Sequence, residues 1–252
     1  MPATHHPRVP AWPPKSAPRL FVAETLAAGA AVRVEGNPAH YLARVMRVAP
    51  GDIVILCDDV TGEWAARVVE AGKRDVVLEV AEMLRPREAV PDLWLCPALL
   101  KKDRFDLVLE KATELGAARV QPLITRRCVA DKLNLDRARA IITEAAEQCA
   151  RTALPALTEP VKLDALLASW PGTRTLFVAD ENGGGPAATA FRAHLGPAAI
   201  LIGPEGGFDE AERAAIRAHP QARAITLGPR ILRGETAAIA ALALWMGTAG
   251  DW

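Results

Sequence analysis

Apolar and polar positions follow two different periods along this chain, and the change of period divides it. Beyond Pro18 the apolar residues recur in short stretches of β character at 20–22, 31–34, 52–56, 64–69 and 76–80. Turn signals such as Pro50-Gly51-Asp52, Thr61-Gly62 and Ala71-Gly72-Lys73 separate them. The pattern predicts a small β-barrel over residues 18–85 with one helix inserted at 38–48, where Pro38 is tolerated in the first turn. On that helix Leu42, Val45 and Met46 form the apolar face, and His40, Arg44 and Arg47 form a basic stripe opposite. Residues 1–17 hold several prolines and no period, the composition of a flexible tail. Charge and two prolines at 86–91 read as a linker.

A second architecture occupies residues 92–252. Apolar strand candidates at 93–99, 120–124, 176–179, 199–202 and 224–227 alternate with helical segments, which predicts an α/β domain with a mostly parallel sheet covered on both faces. The helix over 103–115 carries Phe105, Val108, Leu109, Ala112 and Leu115 on one face, and Gly116 stops it. By the same spacing the helix over 136–150 buries Ala138, Ile141, Ile142, Ala145 and Cys149.

With 30 basic and 30 acidic side chains in 252 residues, the chain has no net charge, so any nucleic-acid contact must come from local patches. Cys57, Cys96, Cys128 and Cys149 form no close pair or Cys/His cluster, which indicates neither a metal site nor a disulfide framework. No apolar run reaches the length of a membrane span, and the Pro-rich start lacks the core of a secretory signal. The expectation is a cytoplasmic protein without membrane contact.

Candidate chemistry concentrates in two strand-to-loop-to-helix junctions, 201–209 and 227–237. Each passes from an apolar strand through glycines and a proline into a helix, and Asp209-x-x-Glu212 is a capping-box pattern. Glycines let main-chain groups approach a ligand without a Cβ in the way. Neither junction has the spacing of a phosphate-binding loop, and Glu205 sets a carboxylate where a phosphate needs donors. A neutral or cationic ligand held by backbone atoms fits better; an ordinary glycine turn is the plain alternative. Arg230 and Arg233 oppose the dipole of the helix that follows, so they serve an anionic partner or pair with Glu205 or Glu235. The basic stripe His40, Arg44, Arg47 either tracks a phosphate backbone or is a solvated face, and Lys101-Lys102-Asp103-Arg104 is a second basic cluster of the same ambiguity. Glu144, Glu147, Gln148 and Arg151 share a polar face near a helix end.

Several of these segments, in the same order, resemble the SPOUT methyltransferases, and among them the RsmE family, which methylates N3 of a uridine in 16S ribosomal RNA. The junctions at 201–212 and 227–242 look like the family's two cofactor loops. Pro18-Arg19-Leu20-Phe21-Val22 is similar to its opening strand, and the stretch from His40 to Arg47 to its H-x-x-x-x-V-x-R helix. Lys111-Ala112-Thr113-Glu114-Leu115-Gly116 and Glu147-Gln148-Cys149-Ala150-Arg151 resemble two further motifs. Two departures stand out: Lys102 replaces a glycine common after the family's lysine, and Leu20-Phe21 replaces a pair of phenylalanines.

The resemblance implies a C-terminal SPOUT-type domain tied in a trefoil knot, preceded by a PUA-like RNA-binding β domain. It implies S-adenosylmethionine as cofactor, 16S ribosomal RNA of the small subunit as partner, and a homodimer with the site near the subunit interface. Carried over, the cofactor loops comprise Leu201, Gly203, Glu205 and Gly207, then Leu227, Gly228, Ile231, Leu232 and Thr236. Arg233 takes the electrostatic role at the reacting uracil, with Glu205 or Glu235 as base or positioner. Arg19, His40, Arg44, Arg47, Lys101 and Arg151 are the expected RNA contacts. A related enzyme acting on transfer RNA or on ribose 2′-OH, and a nonenzymatic RNA-binding module, are the competing readings; a nucleotide-binding oxidoreductase lacks its dinucleotide fingerprint.

Overall fold

The computed structural model describes Pro13 and residues 17–181, 183–194 and 196–252. Apart from Pro13 and Ala17, the tail expected over 1–17 lies outside the described residues. The chain divides into two compact units, Met1–Glu88 and Ala89–Trp252.

In the first unit the elements run β1 (Arg19–Phe21), β2 (Ala31–Glu35), α1 (Gly36–His40), a π-helical turn (Tyr41–Met46), β3 (Ile53–Cys57), β4 (Gly62–Ala71) and β5 (Asp75–Pro86). They form one sheet in the order β1-β3-β4-β5-β2, antiparallel except for β1 against β3. Register shifts between β4 and β5 bend these long strands and curl the sheet over its core. Alternation supplies that core: Val32 and Val34, Ala66 and Val68, and Val76, Leu78 and Val80 all point inward. β5 runs on to Pro86, into the segment expected to be linker.

The inserted helix departs from the periodic reading. It changes from α to the wider π geometry at Tyr41 and ends where Arg47 takes a left-handed conformation, φ 55°. The wider turn breaks the apolar stripe: Leu42 is fully buried, whereas Val45 is 62% and Met46 36% exposed.

Asp58 organises the loop after β3. Its carboxylate accepts from the amides of Leu26, Val60, Thr61 and Gly62 and from the Thr61 hydroxyl, at 2.7–3.1 Å. Burial alone would raise its pKa, but these donors prevail and hold it at about 2.

The second unit contains β6 (Leu93–Pro97), α2 (Lys102–Glu114), β7 (Arg119–Val120), β8 (Leu123–Ile124), α3 (Leu135–Cys149), β9 (Ala156–Leu157), β10 (Val161–Lys162) and α4 (Leu163–Ala168). It continues with β11 (Thr175–Ala179), β12 (Gly185–Pro186), α5 (Ala187–Arg192), β13 (Ala198–Ile202), α6 (Glu210–Ala218), β14 (Ala222–Thr226) and α7 (Gly234–Ala249). Seven strands pair in the order β12-β14-β11-β13-β6-β7-β9, and every pairing is parallel. β8 and β10 pair separately.

Both faces of the large sheet are covered. Phe177, Ile200 and Ile202 face a core shared with Phe105 and Leu109 of α2, Phe191 of α5 and Trp245 of α7. Leu176, Val178 and Leu201 face the other, against Leu163 and Leu166 of α4 and Ile216 of α6. Residues one apart on a strand thus enter different cores, which is why the strands read as continuous apolar runs. On α3 the buried stripe is Ala138, Ile142, Ala145 and Ala146. Cys149 is exposed, contrary to the periodic expectation, because the helix ends there and Ala150 turns left-handed, φ 61°.

Candidate active site

Because β14, β11 and β13 are parallel neighbours, the loops leaving their C-terminal ends converge. Between these loops lies a cleft open to solvent. The loop after β13 contributes Ile202, Gly203, Pro204, Gly207 and Phe208; the loop after β14 contributes Leu227, Gly228, Pro229, Arg230, Ile231 and Leu232. The loop after β11 adds Asp180 and Glu181. Sequence reasoning passed over this third loop, although Val178-Ala179-Asp180-Glu181 followed by Gly183-Gly184-Gly185 is a third strand-to-glycine junction.

The first cofactor-type loop is held from several sides. Gly203 lies beneath the Phe208 ring, which leaves 3.1 Å for an added Cβ. Asp209 caps α6 by accepting from the Glu212 amide at 2.7 Å, while the Glu212 carboxylate accepts from the Asp209 amide at 3.0 Å, completing the capping box. Glu212 also accepts from the Arg126 amide at 2.7 Å, Arg126 reaches Asp209 at 2.9 Å, and Arg127 donates to the Gly206 carbonyl at 2.8 Å. The Glu212 amide, aided by Arg126, lowers the Asp209 pKa below its ordinary value. Gly207 takes φ +64°, and the place of its missing Cβ lies 3.0 Å from Glu181 Oε1 and 3.1 Å from Arg213 Nη2. The second loop is open by comparison, with Ile231 85% exposed and Arg230 and Arg233 both exposed.

Not every residue named from sequence meets the cleft. Leu201 is buried beneath it in the β13 core, and Glu205, Arg233, Glu235 and Thr236 are not among its lining residues, although Gly234 between Arg233 and Glu235 is. Glu205 instead accepts from Arg104 Nη1 at 2.9 Å, and Glu235 Oε1 lies 3.7 Å from Arg104 Nε. One arginine in the first turn of α2 thereby joins the two carboxylates, and its unfavourable place at a helix N-terminus is offset by them. Neither Arg230 nor Arg233 forms that pair; among the described residues no carboxylate is bonded to them. The second Glu235 oxygen, Oε2, is buried without a hydrogen-bond partner among the described residues. Such an atom is costly unless a ligand supplies a donor.

The expected RNA contacts sort by exposure. His40, Arg44, Arg47 and Lys101 are exposed. Arg19 is drawn into a pair with the buried Glu63 at 2.9 Å, which Arg85 shares at 2.5 Å. Arg151 is 5% exposed and donates to the carbonyls of Thr113 and Ala117, both at 2.7 Å. It joins the end of α3 to the end of α2, so the structure places it as an internal strut and not on an RNA-facing surface. The thiols offer no nucleophile in the core: burial pushes Cys57 and Cys96 up to about 12.

A family model for an RNA methyltransferase domain matches residues 86–246, and one for an RNA methyltransferase PUA domain matches residues 34–81. Ribosomal RNA small subunit methyltransferase E of Mycobacterium bovis is 33% identical over 236 residues, 88% of this chain and 89% of its own length. Its counterpart in Rickettsia conorii is 28% identical over 228 residues, 89% and 93% of the two chains. The crystal structure of ribosomal RNA small subunit methyltransferase E from Neisseria gonorrhoeae bound to S-adenosylmethionine superposes with a TM-score of 0.86 at 30% identity, covering 94% of this chain and 99% of that one. A putative methyltransferase of Legionella pneumophila, also in complex with S-adenosylmethionine, has a TM-score of 0.84 at 28% identity, covering 94% and 99%.

Proposed function

Starting from the fact that this chain belongs to the ribosomal RNA small subunit methyltransferase E family, we propose that it transfers a methyl group from S-adenosylmethionine to N3 of a uridine in 16S ribosomal RNA of the small subunit. The observation that carries this reading is the cleft formed by three strand-end loops, with main-chain groups and apolar side chains along its walls; Glu235, whose Oε2 is buried without a partner among the described residues, follows the lining residue Gly234 in α7. Those walls fit a cofactor that has a nucleobase and no phosphate. Ile202, Gly203, Leu227, Gly228, Ile231 and Leu232 would hold it. When bound, it supplies an electrophilic methyl group on a cationic sulfonium.

The protein's part is to bring N3 to that methyl as an anion. Uridine N3 carries an imide proton, and Glu235 Oε2 is the acceptor this chain offers: it has no competing donor among the described residues. Glu205 is already bonded to Arg104 and serves as positioner. Arg233, exposed and two residues before Glu235, is free to stabilise charge on the uracil oxygens. Alignment of N3 contributes strongly as well, since near-attack positioning is worth roughly 7–11 kcal/mol in favourable cases.

His40, Arg44 and Arg47 of the first unit, with Lys101 of the second, would contact phosphates, and a target in a loop or unstacked segment presents the N3 edge that pairing hides. The same reading includes a trefoil-knotted chain path, a homodimer and a cytoplasmic location.

Transfer assays on small-subunit particles lacking the modification, with mass-spectrometric mapping of the product, test the proposal. Methyl on a uridine base at N3 is the expected result; methyl on ribose 2′-OH or only on transfer RNA overturns it. In single turnover Arg233→Ala is expected to lower the rate about a hundredfold with cofactor binding unchanged, the scale of losing one transition-state donor. An unaltered rate removes Arg233 from the mechanism.

A further inference from the structure

The loop after β11 carries an acidic side chain that neither the family motifs nor the two glycine loops bring in. Glu181 lines the cleft, is 45% exposed at its side chain, and has one oxygen fixed: Oε1 accepts from Arg213 Nη2 at 2.7 Å. Arg213, 11% exposed, also donates from Nη1 to Asp180 Oδ1 at 2.8 Å and from Nε to the Phe208 carbonyl at 3.0 Å. One planar guanidinium therefore ties the end of β11 to the first glycine loop through three bonds whose directions a lysine could not reproduce. Gly207 leaves the room this requires. Arg217 approaches the second Asp180 oxygen at 3.8 Å, so Asp180 is occupied on both sides. Glu181 Oε2 is not engaged by Arg213, and an ionised carboxylate only accepts.

Position decides what it accepts from. β11 stands between β14 and β13, so Glu181 sits between the two loops that grip the ends of a ligand. In S-adenosylmethionine the middle is the ribose, flanked by adenine on one side and the methionine moiety on the other, and its two hydroxyls are donors. We propose that Glu181, held in place by Arg213, binds the ribose hydroxyls of the cofactor. Arg213 is a positioning residue: it acts through Glu181. The inference rests on S-adenosylmethionine being the ligand of this cleft.

Calorimetry on the full chain with S-adenosylmethionine and with adenosine tests it. Glu181→Gln keeps size and lies partly in solvent, so the variant is expected to fold, with an unaltered thermal midpoint. It should weaken both ligands by a similar factor of about ten, the lower end of what a hydrogen bond to a charged group contributes. Arg213→Lys should weaken both several-fold, and adding it to Glu181→Gln should cost little more, because the two residues act as one unit. If only S-adenosylmethionine weakens, Glu181 faces the methionine ammonium and the ribose assignment fails. If neither ligand weakens, Glu181 is no part of the site. If the unaltered protein binds neither, it is the cofactor reading itself that falls.

Discussion

The two glycine-rich loops of the cleft have nearly the same sequence logic and opposite physical states. The loop after β13 is braced by a capping box, by Arg126 and Arg127 from a distant segment, by the Phe208 ring and by the Arg213 clamp. In the loop after β14, the bonds between Thr226 and Gly228 at 3.3 Å are local, and Arg230, Ile231 and Arg233 stand in solvent. One wall of the cleft is thus preorganised, while the other has conformational freedom to lose when a ligand arrives. Affinity rises when ordering is completed beforehand. A single rigid wall gives the site its register, and an open one leaves a path for entry.

The sharpest way to break this contrast is to add a methyl group to each loop. Gly207→Ala places a Cβ 3.0 Å from Glu181 Oε1 at φ +64° in a loop braced from several sides, and should weaken S-adenosylmethionine binding roughly thirtyfold, the scale of about 2 kcal/mol of local strain. Gly228→Ala meets nothing within 4 Å, although its φ of +119° also strains, and the unbraced loop can relax. Its loss should stay within a few-fold by the same calorimetry. Equal losses would mean that the second loop is as constrained as the first.

Hydrogen exchange separates the loops next. Adding S-adenosylmethionine should slow amide exchange in residues 228–234 about tenfold, because that segment becomes ordered, and change residues 205–209 less. The reverse order would assign the rigid wall to the wrong strand end.

The smallest effect is acid sensitivity of the braced loop. The Asp209 pKa lies below its ordinary value in the fold, chiefly through the Glu212 amide, so the cap contributes fully above the usual carboxylate range and is lost as pH falls through the lowered value. Protection of the first amides of α6, taken against intrinsic exchange at each pH, should therefore hold at pH 5 and fall by a few-fold below about pH 4. Asp209→Asn, which still caps, should remove that dependence. Persistence of the acid response in the Asp209→Asn variant would place the titrating group elsewhere.

Local signals made part of this site readable in advance. Gly203, Gly207, Leu227 and Gly228 stand in strand-to-helix junctions, and the Asp209-x-x-Glu212 cap needs only neighbours in sequence. Side chains that act across the fold gave no such sign. Arg104 meets Glu205 over a separation of 101 residues, Arg127 meets Gly206 over 79, and Arg213 meets Glu181 over 32. Each contact depends on strand order, which no periodicity states. Arg19 and Arg151 teach the complementary lesson: a positive charge in sequence does not say whether the fold turns it outward or spends it on Glu63 or on two carbonyls. An α period misplaces Val45 and Met46 because a π turn shifts the phase that it assumes.

The adjacency of β14, β11 and β13 has one more consequence, which concerns size. Neighbouring strands are roughly 4.8 Å apart, so the outer two loop origins are separated by about 10 Å across the sheet. That distance is about the length of one nucleoside, so a ligand of that size can touch both outer loops at once while its middle lies over the end of β11.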